Sequence, residues 1–165
     1  MGGERDEEFR RFVVAHRQEL LRTARLLTGD QVHAEDLVET ALLKTYRHWS
    51  RIPDDRLAFV RRMLVTTYTS PWRRFSAEQM LAGAPRRAAD PEAERNEQVL
   101  AALGELTPLM RAVVVLRFYE DLPDAQTAEL LSCPVGTVET EGSVAVARLR
   151  ELLADLGSDE EAGRR

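Results

Sequence analysis

Apolar residues recur along most of the chain at spacings of three and four positions, which is the period of an amphipathic helix. No stretch keeps the alternation of apolar and polar residues that indicates a strand. Gly29 supplies a left-handed stop after the first periodic segment, and Thr107 followed by Pro108 is typical of a helix start. The pattern predicts an all-α chain with helices over about residues 6–27, 31–48, 56–75, 95–103, 107–119, 124–131 and 134–155.

Residues 76–94 have no periodic face and are rich in Ala, Gly, Pro and charge, which is typical of a flexible linker. We therefore expect two small helical domains, residues 1–75 and 95–156, joined by this linker. Residues 157–165 are predicted to form a polar tail.

The second predicted helix has a polar face that contains one apolar residue, Leu43. An exposed leucine among polar side chains is a mild indication of a protein contact, although single exposed leucines are also common. The opposite face of this helix is predicted to be buried and consists of Val32, Leu37, Val38, Ala41, Leu42 and Tyr46.

The composition excludes several classes of protein. The chain has 165 residues, of which 44% are hydrophobic and 31% charged, unlike a collagen or a disordered acidic tail. Cys133 is the only cysteine, so neither an intrachain disulfide nor a cysteine-cluster zinc site can form. No apolar run approaches the roughly 20 residues of a membrane span, and the polar N-terminus does not resemble a signal peptide. We expect a cytoplasmic protein.

An enzyme is the weaker interpretation of this sequence. His16, His33 and His48 are scattered, and neither a metal-ligand spacing nor a glycine-rich phosphate loop is present. His16 falls on the apolar face of the first predicted helix, as a core histidine would. We therefore expect no catalytic residues, no metal site and no cofactor.

Charge is distributed unevenly along the chain. Residues 1–75 carry 14 basic and 11 acidic side chains, whereas residues 95–156 carry 5 basic and 10 acidic ones. The first predicted domain is therefore mildly basic and the second is clearly acidic, within a net charge of −5.

Residues 124–150 have the pattern of a helix-turn-helix, in which a short helix meets a tight turn at residues 132–134 and a longer helix follows. An ordinary helical hairpin would have a similar pattern. If the second helix enters a major groove, its outward face presents Thr137, Thr140, Glu141, Val144 and Arg148.

Residues 58–75 combine arginines with aromatic residues and contain no acid. Guanidinium groups can bind phosphates while rings stack on unpaired bases, so this composition suits single-stranded DNA. A solvated basic face with a few core aromatics is the alternative. The candidate residues are Arg61, Arg62, Tyr68, Trp72, Arg73 and Arg74.

The order of these segments resembles the extracytoplasmic-function (ECF) sigma factors of bacterial RNA polymerase, especially actinobacterial ones, over roughly residues 6–155. The segments that carry the resemblance are LLRTARLLTGD (20–30), AEDLVETALLKTYRHW (34–49), FVRRMLVTTYTSPWRR (59–74), LTPLMRAVVVLRFYEDL (106–122) and AELLSCPVGTV (128–138). The resemblance implies a region 2-like three-helix bundle followed by a region 4-like helix-turn-helix domain.

The resemblance also implies partners and sites. Core RNA polymerase, through its clamp helices and flap, and promoter DNA would be the partners, with an anti-sigma factor as a further candidate. The basic and aromatic residues at 61–74 match the family's helix for the minus-ten element, and the loop 50–55 matches the one that receives an extruded base. The helix-turn-helix matches the reader of the minus-thirty-five element. The positions that match the polymerase contacts are Asp36, Leu37, Thr40, Leu43, Lys44 and Arg47.

The second helix of the helix-turn-helix departs from the family pattern. Two acids, Glu139 and Glu141, and Val144 stand where the family usually has basic or polar donors, and Gly142 occupies an inward position. Glutamates repel phosphates, although a glutamate can accept a hydrogen bond from cytosine. One hypothesis is a working sigma factor with weakened or altered upstream recognition. The other is a degenerate sigma-like adaptor or decoy that binds polymerase or an anti-sigma partner without specific promoter recognition.

Overall fold

The computed structural model describes residues 2–69 and 91–162 and is helical in nearly all of them. The chain divides into two compact units, Met1–Arg74 and Phe75–Arg165. The predicted all-α class is confirmed. The helices are α1 (Gly2–Thr28), α2 (Gln31–His48), α3 (Arg56–Thr69), α4 (Pro91–Gly104), α5 (Pro108–Val114), α6 (Asp124–Leu131) and α7 (Val135–Ala162), with a 3₁₀ turn at Trp49–Arg51 and a π turn at Val115–Tyr119.

In the first unit α2 packs against both α1 and α3, and its buried face supplies the centre of the core. Gly29, at a φ of 87°, ends α1 in the left-handed region that glycine adopts readily. Asp30 then caps α2, because its carboxylate accepts hydrogen bonds from the amides of Val32 (2.7 Å) and His33 (3.2 Å). This short connection sets α2 alongside α1.

Trp49 follows α2 directly and joins three elements of the first unit. Its side chain is 1% exposed, and its ring lies 5.0 Å from that of Phe9 and 5.2 Å from that of Phe12 on α1. The guanidinium of Arg56, at the start of α3, stacks 4.3 Å above the same ring. The indole nitrogen donates to Glu8, which also pairs with Arg56. The pKa of Glu8 is lowered by this hydrogen bond from Arg56.

In the second unit α7 packs along α4, α5 and α6. Val113, Ala128 and Val138 form a buried cluster, against which Leu109, Leu131 and Cys133 pack. Thr107 caps α5 by accepting from the amide of Met110 at 3.2 Å, as the sequence predicts.

Several predicted boundaries differ from the observed ones. The segment predicted as one helix over 107–119 changes to a π turn at Val115, where the amide of Glu120 donates to Val115 across five residues. α4 begins at Pro91, inside the predicted linker, because proline is well suited to the first turn of a helix. α7 continues through Ala162, so residues 157–162, predicted as tail, are helical.

The remaining boundary predictions involve residues outside the described ranges. These are the end of the third predicted helix after Thr69, most of the linker, and residues 163–165. The domain limits at 75 and 94 stay predictions.

We expect Trp49→Ala to lower the free energy of unfolding of the first unit by about 3–5 kcal/mol, because a large buried side chain is replaced by a cavity. Urea unfolding followed by helical circular dichroism measures this loss. Val14→Ala is the control, since Val14 is 78% exposed on α1 and should change stability by less than about 0.5 kcal/mol. Equal losses in both variants would contradict the role assigned to Trp49.

Candidate functional site

One side of α2 presents an exposed stripe in the first unit. Its members are spaced three and four positions apart, so they lie on the same helix face. Leu43 is 65% exposed towards its C-terminal end, and Val32 is 72% exposed at its N-terminal end. We define the α2 stripe as Val32, Asp36, Thr40, Leu43, Lys44 and Arg47.

Two predictions about α2 are wrong. Val32 was expected in the core, but it lies in the first turn, beyond the reach of α1 and α3, and joins the exposed stripe. Leu37 was expected to contact polymerase, but it is fully buried. One position separates Leu37 from Asp36, which turns its side chain by about 100° into the core. The apolar pattern already placed Leu37 on the buried face, whereas nothing in the sequence distinguished Val32.

Lys44 lies at the edge of the α2 stripe and is tied to α3. Its ammonium group donates to the hydroxyl of Thr67 at 3.3 Å, while Thr67 itself is buried. Within the stripe, the Thr40 hydroxyl donates to the carbonyl of Asp36 at 2.9 Å. The stripe is therefore held on a rigid helix and combines apolar, acidic and basic side chains.

The candidate DNA-binding residues of α3 do not share one face. Arg61 forms an ion pair with Glu19 on α1, whereas Arg62 is exposed on another side of the helix together with Thr66. Tyr68 is half-buried. Of the residues that the structure describes, Arg62 is thus the arginine of this set that faces solvent most openly. The other members, Trp72, Arg73 and Arg74, lie outside the described residues.

The loop of residues 50–55, between α2 and α3, is anchored at both ends. It begins directly after Trp49, and Ile52 is buried within it. At the other end the Asp55 carboxylate accepts from the amide of Ala58 at 3.1 Å and so caps α3. Ser50, Arg51, Pro53 and Asp54 are exposed between these anchors.

The second unit contains a helix-turn-helix formed by α6 and α7. Ser132 ends α6 in the left-handed region at a φ of 53°, and the amide of Cys133 closes the turn on the carbonyl of Ala128 at 3.0 Å. Pro134 precedes α7 and has no side-chain acceptor for a cap, but its carbonyl accepts from the amide of Thr137. The turn therefore depends on backbone hydrogen bonds and on the cluster beneath it.

The residues predicted for the outward face of α7 are only partly exposed. Thr140, Val144 and Arg148 are exposed, and Arg148 pairs with Glu151 at 3.3 Å. Thr137 and Glu141 are half-buried. The five side chains occupy one broad side of the helix, and Glu141 borders the inward-facing Val138 and Ala145.

Both units match known sequence families. Region 2 of the sigma-70 family matches residues 12–75, and region 4 of the same family matches residues 96–149. The chain is 37% identical to an RNA polymerase sigma-E factor of Streptomyces avermitilis, over 94% of this chain and 90% of that protein. It is 30% identical to the ECF RNA polymerase sigma factor SigL of Mycobacterium tuberculosis, over 86% of each.

This chain belongs to the ECF sigma factors of bacterial RNA polymerase. The resemblance found in the sequence is thereby confirmed. Two solved structures share the fold of this sigma factor. One is the sigma factor RpoE with the anti-sigma factor NepR from Bartonella quintana, with a TM-score of 0.72, 21% identity and coverage of 90% of this chain and 98% of that one. The other is CnrH with the cytosolic domain of CnrY, with a TM-score of 0.66, 24% identity and coverage of 91% and 90%.

Gly142 of this sigma factor has a structural partner that the sequence did not indicate. A Cβ atom at position 142 would lie 2.2 Å from Nη1 of Arg117 and 3.4 Å from Cγ1 of Val113. The Arg117 side chain therefore occupies the space that a larger residue would fill. Its Nε donates to the carboxylate of Asp124, at the start of α6, at 2.7 Å. Arg117 thus connects all three helical segments of the helix-turn-helix domain core.

Two further residues define the chemistry of the helix-turn-helix core. The hydroxyl of Thr127 is buried and makes no hydrogen bond to any residue that the structure describes, which costs about 1–3 kcal/mol. Cys133 is half-buried beneath the turn, and burial raises the pKa of its thiol. The thiol is therefore protonated at neutral pH and contributes packing.

The described part of the sigma factor shows neither a metal cluster nor a membrane helix. Within residues 2–69 and 91–162, no group of three or more His, Cys, Asp and Glu side chains could hold a metal ion. None of the helices in these ranges is both long enough and apolar enough to cross a bilayer.

We expect Gly142→Ala to raise the free energy of unfolding by about 1 kcal/mol in an Arg117→Ala background, where only helix propensity changes. In the wild-type background the gain should be smaller or reversed, because the new methyl group displaces Arg117 from Asp124. Chemical unfolding of the four proteins measures this coupling.

Gly136→Ala is the matched control on the same helix, since a Cβ there meets no atom within 4 Å. Its effect should be the same with and without Arg117. Equal effects of Gly142→Ala in the two backgrounds would contradict the packing of Arg117 over Gly142.

Proposed function

We propose that this sigma factor binds core RNA polymerase through the α2 stripe and directs it to promoters mainly through its first unit. The observation that carries this proposal is the exposure of Leu43 among polar residues of a rigid helix. An exposed apolar side chain flanked by charges suits the centre of a protein interface. The clamp helices of polymerase are the partner of this surface, and the flap is the partner of the second unit.

The proposed minus-ten contacts are α3 and the loop of residues 50–55. The guanidinium of Arg62 faces solvent and binds the DNA backbone. Arg61 gives up its ion pair with Glu19 and pairs with a phosphate instead. Trp72, Arg73 and Arg74 complete the set, and Tyr68 supports the helix from its half-buried position. Because the loop is fixed at Trp49 and Asp55, it offers a preformed place for an unstacked base.

In this proposal, the second unit binds DNA phosphates only weakly. Its residues 95–156 carry twice as many acidic as basic side chains, and the first half of α7 presents Glu139 and Glu141. Phosphate contacts supply most sequence-independent affinity for DNA, so the upstream contribution is weakened or altered. The acidic face equally favours a second candidate function, an adaptor or decoy that binds polymerase without specific promoter recognition.

An anti-sigma factor is a further proposed partner, because one solved neighbour, RpoE, is in complex with the anti-sigma factor NepR. Such a partner would control how much of the factor reaches polymerase. We place this function in the cytoplasm, where polymerase and promoter DNA meet.

Tagged protein isolated from its own cells distinguishes the two functions. We expect core polymerase to co-purify and the cross-linked DNA to contain promoters that share a two-part motif. Polymerase without enriched DNA would instead identify the adaptor or decoy. Absence of both polymerase and DNA would contradict both functions.

We expect Leu43→Glu and Lys44→Glu each to weaken binding to core polymerase at least about tenfold, because a charge is introduced or reversed within the proposed interface. Titration of labelled sigma factor with core polymerase measures the affinity. Val14→Glu is the control, because Val14 is also exposed but lies on α1. Unchanged affinity in both α2 variants would rule out the α2 stripe as the polymerase contact.

Replacing both acids of α7, Glu139→Lys with Glu141→Arg, should raise affinity for non-specific duplex DNA and steepen its salt dependence. Each added phosphate contact changes the slope of log K against log salt by about 1. Fluorescence anisotropy of the full chain at several salt concentrations gives both values. Glu4→Lys with Glu105→Lys makes the same change in net charge at exposed positions outside α7. An equal effect in the control would show that α7 does not face DNA.

A further inference from the structure

The side of α7 proposed to face DNA carries hydrogen-bond acceptors but few donors. The hydroxyl of Thr140 donates to the carbonyl of Gly136 at 2.9 Å, and the hydroxyl of Ser143 donates to the backbone carbonyl of Glu139 at 2.9 Å. Their protons are therefore used within the helix, and their oxygens are left with lone pairs. An approaching base edge would meet these oxygens as acceptors.

The carboxylates on this part of α7 add to the same character. An ionised glutamate carboxylate only accepts hydrogen bonds. The carboxylates of Glu139 and Glu141 accept none from other residues that the structure describes. The nearest cation along this side of the helix is Arg148, two turns beyond Glu141, and it is paired with Glu151. The first half of α7 thus presents acceptors together with the exposed methyl groups of Val144.

Glu141 is better placed than Glu139 to act on a base. Thr137, Glu141, Val144 and Arg148 follow each other at spacings of four, three and four, so they form one line along the helix. Glu139 lies on the other flank and is exposed. Glu141 is half-buried, which restricts its rotamers and lowers the entropy lost on binding.

The four bases differ in what they offer to a carboxylate such as that of Glu141. Guanine presents two acceptors in the major groove, which a carboxylate repels, and adenine presents one acceptor beside its amino group. Cytosine presents only its amino donor, whereas thymine presents an acceptor, O4, beside a methyl group that suits a valine. Cytosine is therefore the base that Glu141 accommodates best.

We propose that Glu141 is a specificity-determining residue that selects cytosine at one position of the upstream promoter element. This inference rests on the proposed function, because it requires α7 to enter the major groove. Discrimination between bases would then compensate for the phosphate affinity that the acidic face of α7 lacks. The factor would then tolerate a weak second unit as long as its upstream element carries the selected cytosine.

The test uses holoenzyme reconstituted from the full chain and core polymerase. Templates combine a fixed downstream element, taken from a promoter bound in cells, with a randomised upstream element, and the transcripts are sequenced. We expect cytosine at one upstream position to be enriched about tenfold or more over guanine. Because an amide pairs with adenine through N6 and N7, Glu141→Gln should shift the preference at that position from cytosine to adenine.

Two further variants make the result specific to this side chain. Asp155→Asn also replaces a carboxylate by an amide at an exposed position of α7, about four turns beyond Glu141, and should leave the preference unchanged. Glu141→Ala should abolish the cytosine preference without creating one for adenine, while transcripts still arise from the fixed downstream element. Circular dichroism of each variant should match the wild-type protein.

Three outcomes would overturn the inference, and they differ in what else they affect. If transcription persists without an upstream base preference, or if Glu141→Gln keeps the cytosine preference, Glu141 does not read DNA and the proposed function stands. If Glu141→Gln leaves all templates unaffected but weakens binding to core polymerase, this face binds protein instead. If no template is transcribed by the wild-type holoenzyme, the proposed function fails as well.

Discussion

The packing of Trp49 between α1 and the start of α3 determines the geometry of the first unit. The indole closes the core, orients Arg56 and Glu8, and begins the loop that precedes α3. One large side chain thus links the stability of the bundle to the position of its exposed surfaces. A change in this cluster would alter the loop of residues 50–55 and the α2 stripe together, because Trp49 directly follows the end of α2.

The second unit depends on a different solution to packing. A glycine in the middle of α7 sacrifices helix propensity, but it admits the long side chain of Arg117, which reaches Asp124 on α6. The Arg117 guanidinium therefore fills the space that an apolar side chain on α7 would otherwise fill. The basic charge of Arg117 is used within the fold, and this leaves the outward face of α7 even more acidic in character.

Periodicity was sufficient for the helices, because buried faces such as that of α2 repeat with the helical period. It failed for Val32, since a residue in the first turn of a helix can fall on the apolar side of the pattern and still extend past its neighbours. For Leu37 periodicity was right and the resemblance was wrong, because the resemblance assigned a polymerase contact to a side chain that the local pattern had placed in the core. The pairing of Gly142 with Arg117, 25 positions apart in the chain, could not be predicted from spacing because it is a tertiary contact. The ion pair of Arg61 with Glu19 was hidden for the same reason.

The unsatisfied hydroxyl of Thr127, in the core of the second unit, has a consequence for the lifetime of the factor. A buried polar group without a partner lowers the free energy of unfolding, so the domain opens more often, and proteases cleave the open form in proportion to its population. Binding to any partner that recognises only the folded state reduces that population by mass action. We therefore expect partner-bound molecules of this factor to be degraded more slowly than unbound ones. The amount of the factor in the cell would then rise with the fraction that is bound.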